Sequence, residues 1–346
     1  MNVLRAAVFL GAALAFWNTL RHAELGRAAG LITAIGPGVL VVLLPYLVAM
    51  GLQTLAYGRI FGILRRDTRF LPLLSVLLSA EAVLMSFPAG VAISDSINPY
   101  LLKRRCAMPV PESLAAVAAK KSLIVLANAL YMGIALAFGV GYLHAVSPTL
   151  LGVPGLEWLV LAATLGLLAG SLGMSKALLS GSIAERSHGL LSRLPSKRLQ
   201  HWLSHRKSGF LETDRHFEQL FLHERRALLT SVLLLVGMWL VEGTETLVIL
   251  RLLHVDLPVR QVFSFEVVVT LLRSLAFMIP AGLGVQDAGY VAFLAAFGVP
   301  EAATVGVAFV LIKRVKEMFW IAVGFILIAL AKESPSSGEA TALGQS

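Results

Sequence analysis

Charged side chains inside apolar stretches are the residues of this sequence most able to do chemistry. The last apolar stretch, residues 302–331, carries Lys313, Arg314, Lys316 and Glu317 within five positions. In a helix these residues would lie roughly 17–23 Å from its start, close to the middle of a bilayer. Each charge at that depth costs about 2.5–3.5 kcal/mol on insertion scales. The cluster is therefore expected to face protein or a wet cavity.

Two interpretations of this cluster stay open. In the first, Lys313 or Arg314 binds an anionic head group, with Lys316 and Glu317 completing the site. In the second, the cluster is structural, because Lys313 pairs with Glu317 one turn away and with Glu266.

The preceding apolar stretches hold further candidates. Arg273 and Glu266 are seven residues apart and so share one helical face. Arg273 is interpreted as a head-group or gating residue, or as the partner of Glu266 or Glu81. Glu242 and Glu245 lie deep in a span, where carboxylates are functional candidates. Pairing with a cation of the last helix would explain both equally well.

The composition decides the class of protein. Of 346 residues, 57% are hydrophobic and 14% are charged, and the mean hydropathy is +0.81. A typical soluble domain has about 25% charged residues. The values exclude a soluble enzyme, a disordered chain and a nucleic-acid-binding domain, despite the net charge of +9. One cysteine, scattered histidines and no phosphate-binding loop motif predict no metal site and no cofactor.

The chain predicts an all-α, polytopic transmembrane helical bundle, one domain over residues 1–331. An uncleaved span over 1–20 comes first, and two apolar stretches, 70–98 and 262–297, are broken by Pro and Gly. A basic surface segment over 180–226 and a disordered tail over 332–346 are also expected. The remaining predicted spans cover 31–57, 122–142, 156–179, 227–250 and 302–331.

Loop charges predict the orientation. With a cytoplasmic N-terminus, and with each broken stretch entering and leaving on one side, the cytoplasmic loops hold nineteen Lys and Arg residues against four outside. This is a strong positive-inside bias. Each broken stretch is therefore predicted to be a re-entrant hairpin or a helix pair.

The two broken stretches share a motif. Pro88 begins the sequence Pro-Ala-Gly, with Asp95 seven residues later, and Pro280 begins the same triplet, with Asp287 at the same distance. Each is followed by Pro-Glu and then by two adjacent cations. The predicted topology places the two units, about 70–143 and 262–331, in opposite orientations. An inverted repeat of broken helices is typical of secondary transporters.

Residues at the breaks have predicted backbone roles. Asp287 and Asp95 are interpreted as helix caps or as binding residues, Asp287 for a proton or cation. The exposed N–H groups of such a break could also hold a phosphate. The residues expected to shape the backbone are Pro88, Gly90, Pro280, Gly282 and Gly284.

The segment PAGLGVQDAGY resembles a signature of the flippase-like integral membrane family, close to P-G-G-L-G-V-x-E. This family includes the membrane part of lysylphosphatidylglycerol synthases, and the chain is most similar to its hopanoid-biosynthesis-associated members. The upstream FPAGVAISDSINPYLLKRR resembles the family's first motif, which ends in R-x-Y-L-L-K-R. The resemblance covers about residues 5 to 331.

Three departures stand out. Asp287 replaces the usual Glu, Ala281 replaces a common Gly, and Asn98-Pro99 replaces Val-Arg before Tyr100. The last change removes a frequent cation and weakens an anion-binding role for the first motif. The chain also ends without an aminoacyltransferase domain, so the synthase activity is not expected.

The resemblance implies a lipid flippase of the bacterial inner membrane, not an enzyme. It would move a polar lipid or lipid intermediate, hopanoid- or aminoacyl-phospholipid-related, between leaflets. Its expected partners are membrane lipids and lipid-biosynthesis enzymes, with no nucleic acid. Two alternatives remain: an intramembrane lipid-modifying enzyme using Asp95, Asp287 and Glu81 as acid/base groups, and a non-catalytic subunit of a lipid-synthesis complex.

Overall fold

A computed structural model describes residues 24–63, 68–179, 225–275 and 279–330. The predicted span over 1–20, nearly all of the basic surface segment and the predicted disordered tail lie outside these residues.

The described residues fold into helices and contain no strand, which confirms the all-α prediction. Short 3₁₀ segments occur at Gly36–Val42 and Pro280–Gly282. The α-helices in chain order are α1 (Leu25–Ile35), α2 (Leu43–Ile63), α3 (Phe70–Ser86), α4 (Gly90–Cys106), α5 (Val110–Leu151), α6 (Leu156–Leu179), α7 (Arg225–Leu252), α8 (Val259–Leu275), α9 (Val285–Ala296) and α10 (Ala302–Ala329).

Within the described residues, four helical runs are long and apolar enough to cross a membrane. They are Leu25–Ile63, Val110–Leu151, Leu156–Ala177 and Arg225–Leu252. α10 has 28 residues, which also suffices in length, but it carries the four clustered charges predicted from the sequence. The chain is therefore a multi-pass membrane protein.

α5 differs most from its prediction. The sequence suggested a span over 122–142, whereas the helix runs for 42 residues from Val110 to Leu151. A proline in its first turn and Glu112 beside it favour a helix start there, because both suit the free N–H groups of that end. The helix ends at Gly152, whose φ of 75° is a left-handed cap.

Close packing holds α10 between the two broken stretches. A Cβ atom added at Gly324 would lie 2.4 Å from Ala82 Cβ and 2.5 Å from the Leu78 carbonyl oxygen of α3. On the α9 side, a Cβ at Gly306 would lie 2.7 Å from Val291 Cγ2. Glycine at both positions lets α10 touch both neighbours, and its charges therefore lie between the two stretches.

Two large buried apolar clusters form most of the core, and a smaller one joins α3 to α10. One contains residues of α2, α3, α4 and the first half of α5, with Tyr57 and Phe61 fully buried. The other contains residues of α8, α9, α10 and the second half of α5, with Phe265 and Phe309 at its centre. Each broken stretch therefore packs against a core of its own, and Trp239 of α7 contacts both.

Candidate functional site

Each broken stretch turns at the alanine of its Pro-Ala-Gly triplet. Ala89 has φ 53° and ψ 34°, and Ala281 has φ 49° and ψ 20°, so both adopt the left-handed conformation. Gly90 follows the first turn, where an added Cβ would lie 2.0 Å from the Leu84 carbonyl oxygen. Gly282 and Gly284 also have positive φ, of 62° and 82°. Positive φ and close approach of the backbone are both conformations that glycine permits.

The aspartate of each motif binds the second cation of the following helix. Asp95 Oδ2 lies 3.0 Å from Lys121 Nζ, and Asp287 Oδ1 lies 2.6 Å from Arg314 Nη2. Asp287 also caps α9, because its Oδ2 accepts a hydrogen bond from the Gly284 N–H at 2.9 Å. The predicted capping role of Asp95 is wrong, since α4 already begins at Gly90 and places Asp95 in its second turn.

The first cation of each pair lies over a tyrosine ring. Lys120 Nζ is 5.1 Å from the ring centroid of Tyr57, and Lys313 Nζ is 5.1 Å from that of Tyr290. Such contacts stabilise a desolvated cation by about 1–2 kcal/mol. The two units therefore share a turn, an ion pair and a cation–aromatic contact.

The α10 cations are paired internally, and the pairing of Glu245 with a cation of the last helix was one of the alternatives that the sequence left open. Lys313 and Lys316 both bind Glu245 of α7, at 3.0 Å and 2.7 Å. Glu317 binds Arg314 instead of Lys313. The predicted Lys313–Glu317 pair is therefore wrong, because Glu245 reaches Lys313 from a neighbouring helix.

Arg314 ties this cluster to the second break. Its Nη1 donates to the Ala281 carbonyl oxygen at 3.2 Å, while the same guanidinium binds Asp287. Arg314 therefore fixes the turn, the start of α9 and the middle of α10 relative to one another.

Arg273 has a different environment. Its Nη1 lies 3.6 Å from Glu242 Oε1, and the two side chains are 35% and 28% exposed. The predicted partners, Glu81 and Glu266, are not its ion-pair partners. Glu81 interacts electrostatically with nearby charges, which include those of Lys120, Arg273 and Glu242.

The Arg273–Glu242 pair lines a cleft of about 340 Å³, a volume that includes the open solvent at its mouth. Glu266 lies on the wall and accepts hydrogen bonds from Thr246 Oγ1 and from the Tyr290 hydroxyl. The aromatic rings of Tyr131 and Trp239 stack at 6.0 Å beside it. The full lining is Tyr131, Trp239, Glu242, Gly243, Glu266, Val269, Thr270, Arg273, Gln286, Tyr290 and Lys313.

Sequence reasoning missed several of these residues. Tyr131 and Trp239 look like ordinary core residues of apolar spans, so nothing in their spacing marks them. Gln286 and Tyr290 flank Asp287 in VQDAGY, and a buried amide beside a break was the signal available.

A second cleft lies where α10 begins, with a volume of about 890 Å³ that includes the open solvent at its mouth. Its lining mixes apolar side chains such as Leu31 and Phe297 with charged ones, and Arg27 binds Glu301 there at 2.8 Å. About 17 Å along α10 separates its start from Lys313.

The described residues contain no group of three or more His, Cys, Asp or Glu side chains placed to hold a metal ion. Cys106, at the end of α4, is partly buried, and burial raises the pKa of its thiol to about 11. A thiol with that pKa carries little thiolate at neutral pH, so it is a poor nucleophile.

Comparison with known families identifies the chain. The family model for the lysylphosphatidylglycerol synthase TM region matches residues 2–325, and the chain belongs to that family. No curated protein matches it. The family links this membrane protein to lipid handling.

Proposed function

We propose that this member of the lysylphosphatidylglycerol synthase TM-region family moves a polar lipid between leaflets, with the head group passing through the Arg273–Glu242 cleft. The observation that carries the proposal is the loose geometry of this pair. Its 3.6 Å separation exceeds the 2.5–3.0 Å of the ion pairs around α10. Both side chains remain partly exposed in the cleft, so they keep hydrogen-bonding capacity for a ligand.

The cleft supplies what a head group loses on leaving water. Polar groups inside a bilayer must be satisfied by protein, and irregular backbone at that depth is tolerated where it lines a cavity. The planar guanidinium of Arg273 can donate two hydrogen bonds to one phosphate, while Glu242 accepts from hydroxyl or ammonium groups. Paired charges thereby replace hydration for a head group of mixed polarity.

The wider cleft at the start of α10 suits the opposite end of such a path. Its apolar side chains fit a lipid tail and the Arg27–Glu301 pair fits a head group. In the predicted topology this end faces outside the cytoplasm. The loop that links the predicted span over 227–250 to the broken stretch over 262–297 lies on that side, and it lines this cleft.

The proposed location is the bacterial inner membrane with a cytoplasmic N-terminus and with the two broken units in opposite orientations. The proposed cargo is hopanoid- or aminoacyl-phospholipid-related, as the resemblance in sequence implies. Membrane lipids and lipid-biosynthesis enzymes are its proposed partners, and transport rather than catalysis is its proposed role.

The alternatives lack comparable support. Acid/base catalysis by Asp95, Asp287 and Glu81 would need carboxylates free to exchange protons, but two of the three, Asp95 and Asp287, are each bound to a cation. A purely structural subunit does not require a cleft that is lined by partly exposed charged side chains.

Leaflet exchange in liposomes tests the proposal. The purified protein is reconstituted with fluorescent lipids, and wild type is compared with Arg273→Ala and Lys313→Ala. Arg273→Ala is expected to slow exchange at least tenfold with an unchanged melting temperature. Lys313→Ala is expected to lower both the exchange rate and the melting temperature, because it removes a buried partner of Glu245.

Arg260→Ala is the matched control, since Arg260 is an exposed arginine of the same helix, α8, and does not line the cleft. It is expected to exchange lipid as wild type does. The proposal fails if wild type exchanges no tested lipid and the Arg273 and Lys313 variants complement fully in cells.

A further inference from the structure

Two polar groups in the Arg273–Glu242 cleft lack partners. Gln286 is 2% exposed and lines the cleft, and its Oε1 is buried without a hydrogen bond. Trp239 also lines the cleft, and its Nε1 is buried without a hydrogen bond. An unpaired buried polar atom costs about 1–3 kcal/mol, so a ligand that satisfies both atoms would gain that energy.

The two atoms need different hydrogen-bonding partners from a ligand. Gln286 Oε1 needs a donor, and the indole Nε1–H of Trp239 needs an acceptor. An ionised phosphate only accepts and an ammonium only donates, so each satisfies one atom. A hydroxyl group does both, and it also satisfies the amide of Gln286 if its oxygen and nitrogen are exchanged.

The rest of the wall agrees with hydroxyl groups. Glu242 and Glu266 add carboxylate acceptors, whereas Lys313 is already bound to Glu245. Tyr131 and Trp239 present stacked rings, with an interplanar angle of 19°. The negative face of an aromatic ring attracts the polarised C–H groups that a polyol or sugar ring presents.

We infer that the lipid carried through this cleft has a hydroxyl-rich head group, a polyol or a sugar, and that Gln286 selects it. This inference rests on the proposed function, because it names the chemistry of the cargo of the same cleft.

The test compares three fluorescent lipids with identical acyl chains in the liposome assay: a glucosyl diacylglycerol, a diacyl trimethylammonium-propane and a phosphatidylcholine. The glucosyl lipid is expected to exchange at least tenfold faster than the other two. Gln286→Met keeps the side-chain length and removes the amide, and it is expected to slow the glucosyl lipid about tenfold more than it slows phosphatidylcholine.

Asn128→Leu is the matched control. Asn128 is also a buried amide with an unpaired Oδ1, but it does not line the cleft. It is expected to leave the preference for the glucosyl lipid unchanged. Gln286→Asn, which keeps the amide but shortens the arm, is a second variant should the methionine variant not fold.

The outcomes separate this inference from the proposed function. Equal exchange of all three lipids, or an equal effect of Gln286→Met on all three, overturns the polyol inference and leaves transport standing. If no lipid exchanges, transport fails, and binding of a dihexanoyl glucosyl lipid is measured by tryptophan fluorescence. Binding that Gln286→Met weakens about tenfold keeps the polyol site, and binding unaffected by it overturns the inference as well.

Discussion

The two broken units contain the same kinds of contact but bury them to different extents. In the first, the Asp95–Lys121 pair has side chains 39% and 37% exposed. In the second, the Asp287–Arg314 pair has side chains 3% and 14% exposed. The turns and the cation–aromatic contacts are otherwise alike. The difference shows that one motif can serve as a surface pair in one unit and as an interior anchor in the other.

Neighbouring carboxylates explain why the second unit tolerates its buried cations. Glu245 binds both lysines of α10, and Glu317 shares Arg314 with Asp287. In the described part of the first unit, Lys120 has no carboxylate at ion-pair distance, although Glu81 and Asp95 act on it. The first unit therefore keeps its aspartate–cation pair closer to solvent. In the sequence motif, Glu81 occupies the position that corresponds to Arg273.

The largest expected effect comes from the equivalent aspartates. Asp287→Asn removes charge from a buried pair and is expected to lower the free energy of unfolding by about 3 kcal/mol. Asp95→Asn is expected to lower it by less than about 1 kcal/mol, because solvent screens that pair. Denaturant titrations in one detergent measure both, and equal losses would break the comparison.

At the glycines of the two turns, the larger loss of stability is expected in the first unit instead of the second. Gly90→Ala places a Cβ 2.0 Å from the Leu84 carbonyl oxygen, so the backbone must move, at a cost of about 2–3 kcal/mol. Gly282→Ala meets its nearest atom, Gln286 Oε1, at 3.3 Å and loses about 1 kcal/mol through its positive φ. The same titrations measure the difference, and a larger loss at Gly282 would contradict this packing.

The smallest effect concerns the equivalent lysines. Lys313→Met leaves Glu245 with Lys316 alone and is expected to cost about 1–2 kcal/mol. Lys120→Met is expected to cost less than about 1 kcal/mol, because no paired carboxylate is left behind and relief of the desolvated cation offsets the lost contact with Tyr57. Melting temperatures in nanodiscs check this, and a greater loss for Lys120→Met would show that the first unit depends on its cation.

Particular residues show how far the sequence could predict this molecule. The span over 156–179 matches α6 residue for residue, because an apolar run between Gly155 and a polar segment has clear ends. The predicted span began only at residue 122, because residues 99–121 were counted as a cytoplasmic loop, although the Pro-Glu motif was expected to lead into a helix that carries Lys120 and Lys121. They are held inside the helix by Tyr57 and Asp95.

The partners of the charges were harder to predict than the charges themselves. A helical spacing of four suggested Lys313 with Glu317. Glu245 was an alternative partner for a cation of the last helix, but spacing within single helices contains no information about which cation it binds. The aromatic wall of the cleft was not predicted either, because Trp239 and Tyr131 in apolar spans have the pattern of core residues. Three-dimensional proximity decides both features.

The most direct test of the account is the initial rate of leaflet exchange for Arg273→Ala relative to Arg260→Ala, at equal reconstitution and equal thermal stability. The account predicts at least a tenfold lower rate for Arg273→Ala and a wild-type rate for Arg260→Ala. Equal rates for the two variants would contradict the claim that the lipid head group passes through the Arg273–Glu242 cleft.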